Sequence, residues 1–256
     1  MSVTKTSQRG AKRRLDQLLV ERGLAESRAR AQAVIMAGLV TVAGRRADKA
    51  GALVAGDAAV EVKGKAHPYV SRGGLKLAAA LDRFAIDPAG LACLDVGAST
   101  GGFTDVLLRR GALKVYAVDV GHGQLAWSLR NDPRVVVLER VNARHLTLDQ
   151  VPEAPLLVVC DASFIGLETV LPAALALAAP GAVLIALIKP QFEVGPGNVG
   201  KGGIVRDPAL HRQVCDRISA WLGAQAGWSV IGAVPSPIEG ADGNREFLIA
   251  ARRAAT

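Results

Sequence analysis

The glycine-rich stretch at residues 91–108, which reads LACLDVGASTGGFTDVLL, constrains the fold of this chain more than any other feature. An apolar run ends at Gly97, two further glycines stand at positions 101 and 102, and an apolar-periodic segment begins directly after them. This pattern predicts a buried strand, a tight turn and a helix. In a parallel α/β sheet such a turn lies at the carboxyl ends of the strands, where ligands bind.

The residues around this turn indicate which kind of ligand it suits. Asp119 ends the next apolar run, 22 residues after Gly97, about the spacing at which a carboxylate meets ribose hydroxyls. A dinucleotide fingerprint needs glycine at position 99, so that the backbone can approach a pyrophosphate, and this chain has Ser99 there. A ligand with ribose and adenine but no phosphate, such as S-adenosylmethionine, does not need that glycine. An α/β turn that binds no nucleotide is the alternative.

The same stretch resembles motif I of the Rossmann-like class I methyltransferases, through Asp95, the three glycines and the helix that follows. The resemblance implies an α/β fold with a Rossmann-like sheet and S-adenosylmethionine as the cofactor. It also implies a set of cofactor-binding residues in this turn and after the neighbouring strands: Asp95, Gly97, Ser99, Gly101, Gly102, Phe103, Asp119, Asn142 and Asp161.

The positive charge of the chain is unevenly placed. The net charge is +8, and residues 1–76 carry 15 Lys and Arg against 6 Asp and Glu. The remaining 180 residues carry 16 against 17 and are therefore close to neutral. A basic excess confined to one end indicates a polyanionic partner, most often nucleic acid. A solvated basic face without a partner is the alternative.

The basic end has its own pattern of helices and short strands. The periodicity predicts a helix that ends at Gly23, a second helix from the N-cap Ser27 to Gly38, and alternating strands around Gly44. These positions match the S4 RNA-binding domain, a small α+β module. The resemblance implies RNA contact, mainly with phosphates, through the second helix and its basic neighbours: Arg14, Arg28, Arg30, Arg45, Arg46 and Lys49.

Charged residues also mark the predicted active site of the larger part of the chain. Asp161 and Lys189 come directly after two long apolar runs, so both are expected at the ligand-binding edge of the sheet. With Lys76 and Glu246 they form the order Lys–Asp–Lys–Glu, which resembles the tetrad of the heat-shock-type ribose 2′-O-methyltransferases. Glu239 is a second candidate for the fourth place, and Glu246 fits better because it lies in the segment Gly-Asn-Arg-Glu-Phe.

Together with the S4 pattern, this tetrad is similar to that of the TlyA family of rRNA cytidine 2′-O-methyltransferases, which are FtsJ-like and are also named hemolysins. The resemblance extends from about Arg14 to Ile249 and includes the segments SRGGLKL, CDASFI and IKPQFE. It implies methylation of a ribose in ribosomal RNA within ribosomal subunits, with Lys189 as base. Lys76 would favour the developing alkoxide, Asp161 would hold Lys189, and Glu246 would orient Lys76 or the ribose. The chemistry needs no metal, because a sulfonium already activates the methyl group.

These patterns predict a division into a disordered basic lead (1–13), an S4 domain (14–63), a linker (64–70) and a methyltransferase domain (71–256). Beyond the glycine turn, the periodicity predicts further strands at 113–119, 134–138, 155–161, 182–188, 228–234 and 245–250. It also predicts helices at 75–84, 123–131, 166–179 and 207–224.

An uncharged run of 19 residues, Val170 to Ile188, is long enough to suggest a membrane span. Pro172 and the pair Pro180-Gly181 interrupt it, so we expect a helix, a turn and a buried strand, and no membrane contact. The polar start of the sequence and three cysteines without metal-binding spacing are typical of a cytoplasmic protein with reduced thiols. A membrane-active cytolysin and a catalytically inactive RNA-binding module remain as alternative functions.

Overall fold

The computed structural model describes residues 12–25, 28–62, 67–240 and 243–255, without the side chains of Arg30 and Pro196. The chain divides into two compact units between Pro68 and Tyr69. The predicted N-cap Ser27, most of the predicted basic lead and residues 64–66 of the predicted linker lie outside the described residues. The domain limits drawn from the sequence stay predictions.

The N-terminal unit is a small α+β fold, as predicted. Its elements are β1 (Lys12–Arg14), α1 (Leu15–Glu21), α2 (Arg28–Met36), β2 (Val40–Val42), β3 (Arg45–Ala47), β4 (Leu53–Ala55) and β5 (Val60–Val62). Strands β3, β2 and β5 form one antiparallel sheet, and β1 pairs with β4. Leu15, Leu19 and Ile35 from the two helices are fully buried with Val40, so each helix contributes one apolar face to the core.

The C-terminal unit is built on a seven-stranded sheet, which confirms the predicted α/β class. The strands lie in the order β11-β12-β10-β9-β6-β7-β8, and all run in the same direction except β12, which is antiparallel to both of its neighbours, β10 and β11. The elements are α3 (Gly73–Phe84), β6 (Ala92–Val96), α4 (Gly102–Arg109), β7 (Lys114–Asp119), α5 (Trp127–Arg130), β8 (Val135–Glu139), β9 (Leu157–Cys160), α6 (Leu167–Val170), α7 (Pro172–Leu177), β10 (Val183–Ile188), α8 (Pro208–Gly223), β11 (Trp228–Pro235) and β12 (Phe247–Arg253).

The central strands are buried on both faces. Every residue of β6, β9 and β10 is buried, which explains why these strands read as continuous apolar runs in the sequence. Successive side chains of β6 enter opposite cores, Cys93 on one face and Leu94 on the other. The three cysteines are free, and burial raises the pKa of Cys93 to about 12, so this thiol stays protonated.

Two predicted helices differ in the structure. Instead of a helix over 123–131, α5 covers only four residues, because Gly123 takes a left-handed φ of +70° and Ala126 is extended; Asp119 accepts from Gly121 N and Glu139 from Gly123 N in this non-helical segment. The predicted helix over 166–179 is two helices, since Pro172 has no N–H to continue the first one. The uncharged run then passes through a turn into β10, as predicted. In the part of the chain that is described, no helix has the length and apolarity needed to cross a membrane.

Candidate active site

The turn after β6 depends on a glycine at position 97 and on hydrogen bonds to Asp119. Gly97 has φ +84°, and a Cβ at this position would lie 2.9 Å from the backbone of Ala162. Asp119, at the end of β7, accepts hydrogen bonds from Ser99 N and from Gly121 N, both at 2.7 Å. The chain segment after β9 therefore packs directly on the glycine turn, and the Asp119 carboxylate joins the turn to β7.

A cleft of about 360 Å³ opens beside Asp119, and we call it the β7 cleft. Each Asp119 oxygen accepts one backbone N–H, so each keeps a lone pair that can accept a ribose hydroxyl. Asn142 accepts from Arg144 N through Oδ1, while its Nδ2 has no partner among the described residues. The lining comprises Gly97, Ser99, Val118, Asp119, Val120, Gly121, Gln124, Val141, Asn142, Ala143, Asp161, Ala162, Ser163, Phe164, Ile165 and Val170.

A second cavity of about 350 Å³, the lysine cavity, contains all four residues of the predicted tetrad. Lys76 Nζ donates to Glu246 Oε2 at 2.5 Å, and both side chains are nearly buried. Lys189 Nζ lies 2.7 Å from Asp161 Oδ1. The cavity thus holds two lysine–carboxylate pairs, and Gly102 and Phe103 of the glycine turn also line it.

The sheet register explains how residues so far apart in sequence meet here. Strands β9 and β10 are parallel neighbours, so Asp161 and Lys189 leave the sheet at the same edge. Strand β12 runs antiparallel to β10 with Phe247 opposite Ile188, which places Glu246 next to Lys189 in the register. Lys76 comes from the first turns of α3. The edge of the sheet therefore assembles the four side chains from four separate elements.

Glu239 and Glu246, the two candidates for the fourth place in the tetrad, have different surroundings in the structure. Glu239 lines the lysine cavity but is exposed and pairs with no lysine in the described ranges. Glu246 is buried and holds Lys76. A larger residue at position 240 would displace the Glu246 side chain, because a Cβ there would lie 2.1 Å from Glu246 Oε1. The geometry therefore favours Glu246 as the fourth residue.

Sequence reasoning missed Ser163, whose hydroxyl contacts Lys189. Lys189 Nζ donates to Ser163 Oγ at 2.7 Å and to the backbone carbonyl of Asp161 at 3.1 Å. Ser163 lines both the β7 cleft and the lysine cavity. A serine three residues after the end of β9 carries no charge or spacing signal, so only the coordinates single it out.

Two predicted cofactor residues, Asp95 and Gly101, line neither cavity. Asp95 is fully buried in β6 and accepts a hydrogen bond from Thr104 Oγ1 at 2.6 Å. Burial raises the pKa of Asp95 to about 7, against the hydrogen bond from Thr104, which acts in the opposite direction. Gly101 faces leucine side chains of the core. Any part these two residues have in cofactor binding stays a prediction.

In the N-terminal unit, the buried carboxylate of Asp16 accepts hydrogen bonds from two of the predicted RNA-binding arginines. Arg14 and Arg28 both donate to Asp16, at 3.0 and 3.1 Å, and Arg14 holds the pKa of Asp16 far below its ordinary value. Arg45, Arg46 and Lys49 are exposed, while the Arg30 side chain lies outside the described part of the chain. Two of the six predicted RNA contacts are thus tied to a carboxylate, and three are free to meet solvent or a ligand.

Among the described residues, no group of three or more His, Cys, Asp or Glu side chains is placed to hold a metal ion.

Two family models match the chain, and they divide it in the same order as the units. The model of the S4 domain matches residues 13–60. The model of the FtsJ-like methyltransferase matches residues 69–253, which is more than half of the chain and includes both cavities. The fold predicted from the sequence resemblance is therefore confirmed.

Individual relatives extend the match over both units. A 16S/23S rRNA (cytidine-2′-O)-methyltransferase of Mycobacterium tuberculosis, named TlyA, is 51% identical over 92% of this chain and 88% of the relative. A Bacillus subtilis protein provisionally named an rRNA methyltransferase is 50% identical over 93% of this chain and 85% of the relative. A solved structure from Streptococcus thermophilus, provisionally named a hemolysin, is 42% identical with a TM-score of 0.74, covering 96% of this chain and 90% of that one. The chain, with its S4 domain followed by an FtsJ-like methyltransferase domain, therefore belongs to the TlyA family.

Proposed function

We propose that this protein transfers a methyl group from S-adenosylmethionine to the ribose 2′-hydroxyl of a cytidine in ribosomal RNA. The observation that carries the proposal is the pair of buried lysine–carboxylate contacts in one cavity, Lys76 with Glu246 and Lys189 with Asp161. The nucleotide and the RNA class come from the relative named TlyA, which is half identical to this chain.

The β7 cleft suits the nucleoside part of the cofactor. The free lone pairs of Asp119 match two neighbouring ribose hydroxyls, and the unpaired amide of Asn142 can donate to an adenine nitrogen. Gly97, Asp161 and Ser163 line both cavities, so the cleft and the lysine cavity meet at these residues. Bound S-adenosylmethionine would supply a methyl group already activated by its sulfonium charge.

The lysine cavity suits removal of a proton from a hydroxyl. In this mechanism the neutral amine of Lys189 takes the 2′-hydroxyl proton while the ribose oxygen forms its new bond to the methyl carbon. When bound, the sulfonium donor would supply this methyl group and leave as a neutral thioether, while the proton and its positive charge would remain on Lys189. Lys76 stabilises the developing charge on the ribose oxygen, and Glu246 holds Lys76 in place. Asp161 stabilises the ammonium form of Lys189 after the transfer.

The N-terminal unit supplies affinity for RNA. Its exposed Arg45, Arg46 and Lys49 suit contacts with phosphates, which bind without reading sequence. We further propose that the RNA is presented as a ribosomal subunit, because folded RNA is recognised largely by its shape.

The test is methyl transfer from labelled S-adenosylmethionine to separated 30S and 50S subunits that lack the modification. We expect the label on a 2′-O-methylcytidine after nuclease digestion. Lys189→Ala should lower the single-turnover rate by about a thousandfold, because a positioned base contributes 10² to 10⁴. Lys201→Ala is the matched control, since Lys201 is an exposed lysine that lines neither cavity.

Calorimetry with S-adenosylmethionine separates binding from chemistry in both variants. Label on a base, or an unchanged rate in Lys189→Ala with the cofactor bound, would contradict the proposal. A wild-type protein that binds RNA but no S-adenosylmethionine would support the inactive RNA-binding module instead.

A further inference from the structure

The amine of Lys189 has two directed hydrogen bonds, and one of them goes to a side chain outside the tetrad. Nζ donates to Ser163 Oγ at 2.7 Å and to the carbonyl of Asp161 at 3.1 Å. Asp161 Oδ1 is equally close to Nζ, at 2.7 Å, but lies in a direction that makes no directed hydrogen bond within the described residues. The carboxylate therefore attracts the ammonium by charge, while the serine hydroxyl and the carbonyl orient it.

The tetrahedral shape of the amine gives these two bonds a consequence for catalysis. Nζ has three directions besides its bond to carbon, and the two hydrogen bonds fill two of them. The third direction holds the third proton of the ammonium form, or the lone pair of the neutral form. Removing Ser163 Oγ would leave one directed bond, so the amine could rotate and the lone pair would lose its fixed direction.

The residues before and after Ser163 both contact neighbouring segments of the chain. The preceding residue, Ala162, packs on Gly97, where no Cβ fits. The following residue, Phe164, has φ +65°, and its ring contacts Phe192 with centroids 5.0 Å apart. Phe164 is 89% exposed, so this ring contact joins the segments after β9 and β10 only at the surface.

We propose that Ser163 is a positioning residue for methyl transfer, which aims the Lys189 amine at the junction of the two cavities. The inference rests on the proposed function, because it assigns Lys189 as the base. It adds a fifth side chain to the four identified from the sequence. Ser163 lines both cavities and its hydroxyl is bonded to the lysine, a placement that a serine with a purely structural part does not need.

A double-mutant cycle on the full-length protein tests this inference. The rate of 2′-O-methyl formation is measured at saturating cofactor and ribosomal subunit for wild type, Ser163→Ala, Lys189→Ala and the double variant. We expect Ser163→Ala to lower the rate about 10- to 100-fold, with the Kd for S-adenosylmethionine changed less than twofold. In the Lys189→Ala background the same substitution should change the rate less than twofold, because no base is left to aim.

Two further variants separate positioning from folding. Ser163→Thr keeps the hydroxyl at an exposed site and should restore the rate to within threefold of wild type. Ser229→Ala removes an exposed serine on β11, away from both cavities, and should leave the rate unchanged. An equal loss from Ser163→Ala with and without Lys189, or no loss at all in an active wild-type protein, would overturn the inference. A wild-type protein that forms no 2′-O-methyl group would instead overturn the proposed function.

Discussion

Two buried aspartates illustrate how single residues set the response of this protein to pH. Asp16 is paired with Arg14 and Arg28, which lower its pKa, whereas Asp95 is buried without an ionic partner and its pKa rises to about 7. Asp16 therefore stabilises the fold above the pKa of an unfolded aspartate, and this contribution is lost as the pH falls. Asp95 acts in the opposite direction, because its folded form retains a proton that the unfolded form has lost.

We expect Asp95→Asn to remove part of the pH dependence of stability. The stabilising contribution of Asp95 is complete below about pH 4 and is lost as the pH rises through about 7, since the folded carboxyl must then ionise without solvent. The free energy of unfolding of wild type should therefore fall between pH 5 and pH 8 by more than that of the variant. Urea unfolding at both pH values measures this difference, and an identical fall in the two proteins would contradict the assignment.

Residues with charge were the easiest part of the site to predict. Asp161 and Lys189 stand out because each is the first charged residue after a long apolar run, and Lys76 and Glu246 stand out through the family resemblance. Ser163 has no such signal, because its importance comes from a hydrogen bond with a residue 26 positions away. The motif places Asp95 among the predicted cofactor-binding residues, and the structure adds that its side chain accepts a hydrogen bond from Thr104 in the interior.

At the scale of elements, the junction between β6, the glycine turn and the segment after β9 organises the site. Gly97 is the one position there where a positive φ and a close backbone neighbour coincide, with Ala162 at 2.9 Å. The turn brings Ser99 to Asp119, and the segment after β9 carries Asp161 and Ser163. A change at this junction therefore acts on both cavities at once.

We expect Gly97→Ala to destabilise the protein and to abolish cofactor binding. The left-handed φ costs a non-glycine residue about 1–2 kcal/mol, and the methyl group would also collide with the backbone of Ala162. Gly90→Ala is the matched control, because Gly90 has φ +72° and open space around its Cβ position. Thermal unfolding and calorimetry with S-adenosylmethionine measure both effects. Equal losses in the two variants would show that the backbone collision contributes nothing.

Elements were predictable where apolar periodicity decided them, and less so where side chains competed for the backbone. The parallel strands lie close to their predicted ranges, because a strand buried on both faces needs an unbroken apolar run. The helix expected at 123–131 is short, because Gly123 takes a left-handed φ of +70°, with its N–H bonded to Glu139 of the neighbouring strand β8. Such long-range caps depend on which strands are neighbours, which periodicity alone does not reveal.

At the scale of the whole molecule, the two units differ in charge. The basic excess of the sequence lies in residues 1–76, and the rest of the chain is close to neutral. In the C-terminal unit several arginines form ion pairs, for example Arg110 with Asp82 and Arg134 with Asp132. Long-range attraction to RNA should therefore come chiefly from the N-terminal unit.

We expect the double substitution Arg45→Ala, Lys49→Ala to weaken binding to ribosomal subunits and to make it less dependent on salt. Losing two phosphate contacts should reduce the slope of log K against log salt concentration by about 1.5. The rate at saturating RNA should not change. The control is Arg83→Ala, Arg252→Ala, which removes two exposed cations from the C-terminal unit. Similar slopes for both double variants would contradict a special part for the N-terminal unit.

The order of domains was predictable from two unrelated signals. The basic excess lies at the N-terminal end of the chain, and the glycine turn at 97–102 follows it. The sequence places the start of the second domain at 71, whereas the compact units divide after Pro68. Val70 N donates to Asp105, and this contact joins Val70 to the second unit. A change in amino-acid composition along the sequence does not predict such a contact.

The contact between Lys76 and Glu246 spans 170 positions and joins the first helix of the catalytic unit to its last strand. During synthesis, a growing polypeptide has no partner for Lys76 until that strand has left the ribosome and paired with β10. Competence to methylate should thus appear only after β12 has paired with β10. Incompletely made copies would be unable to mark RNA at the wrong time.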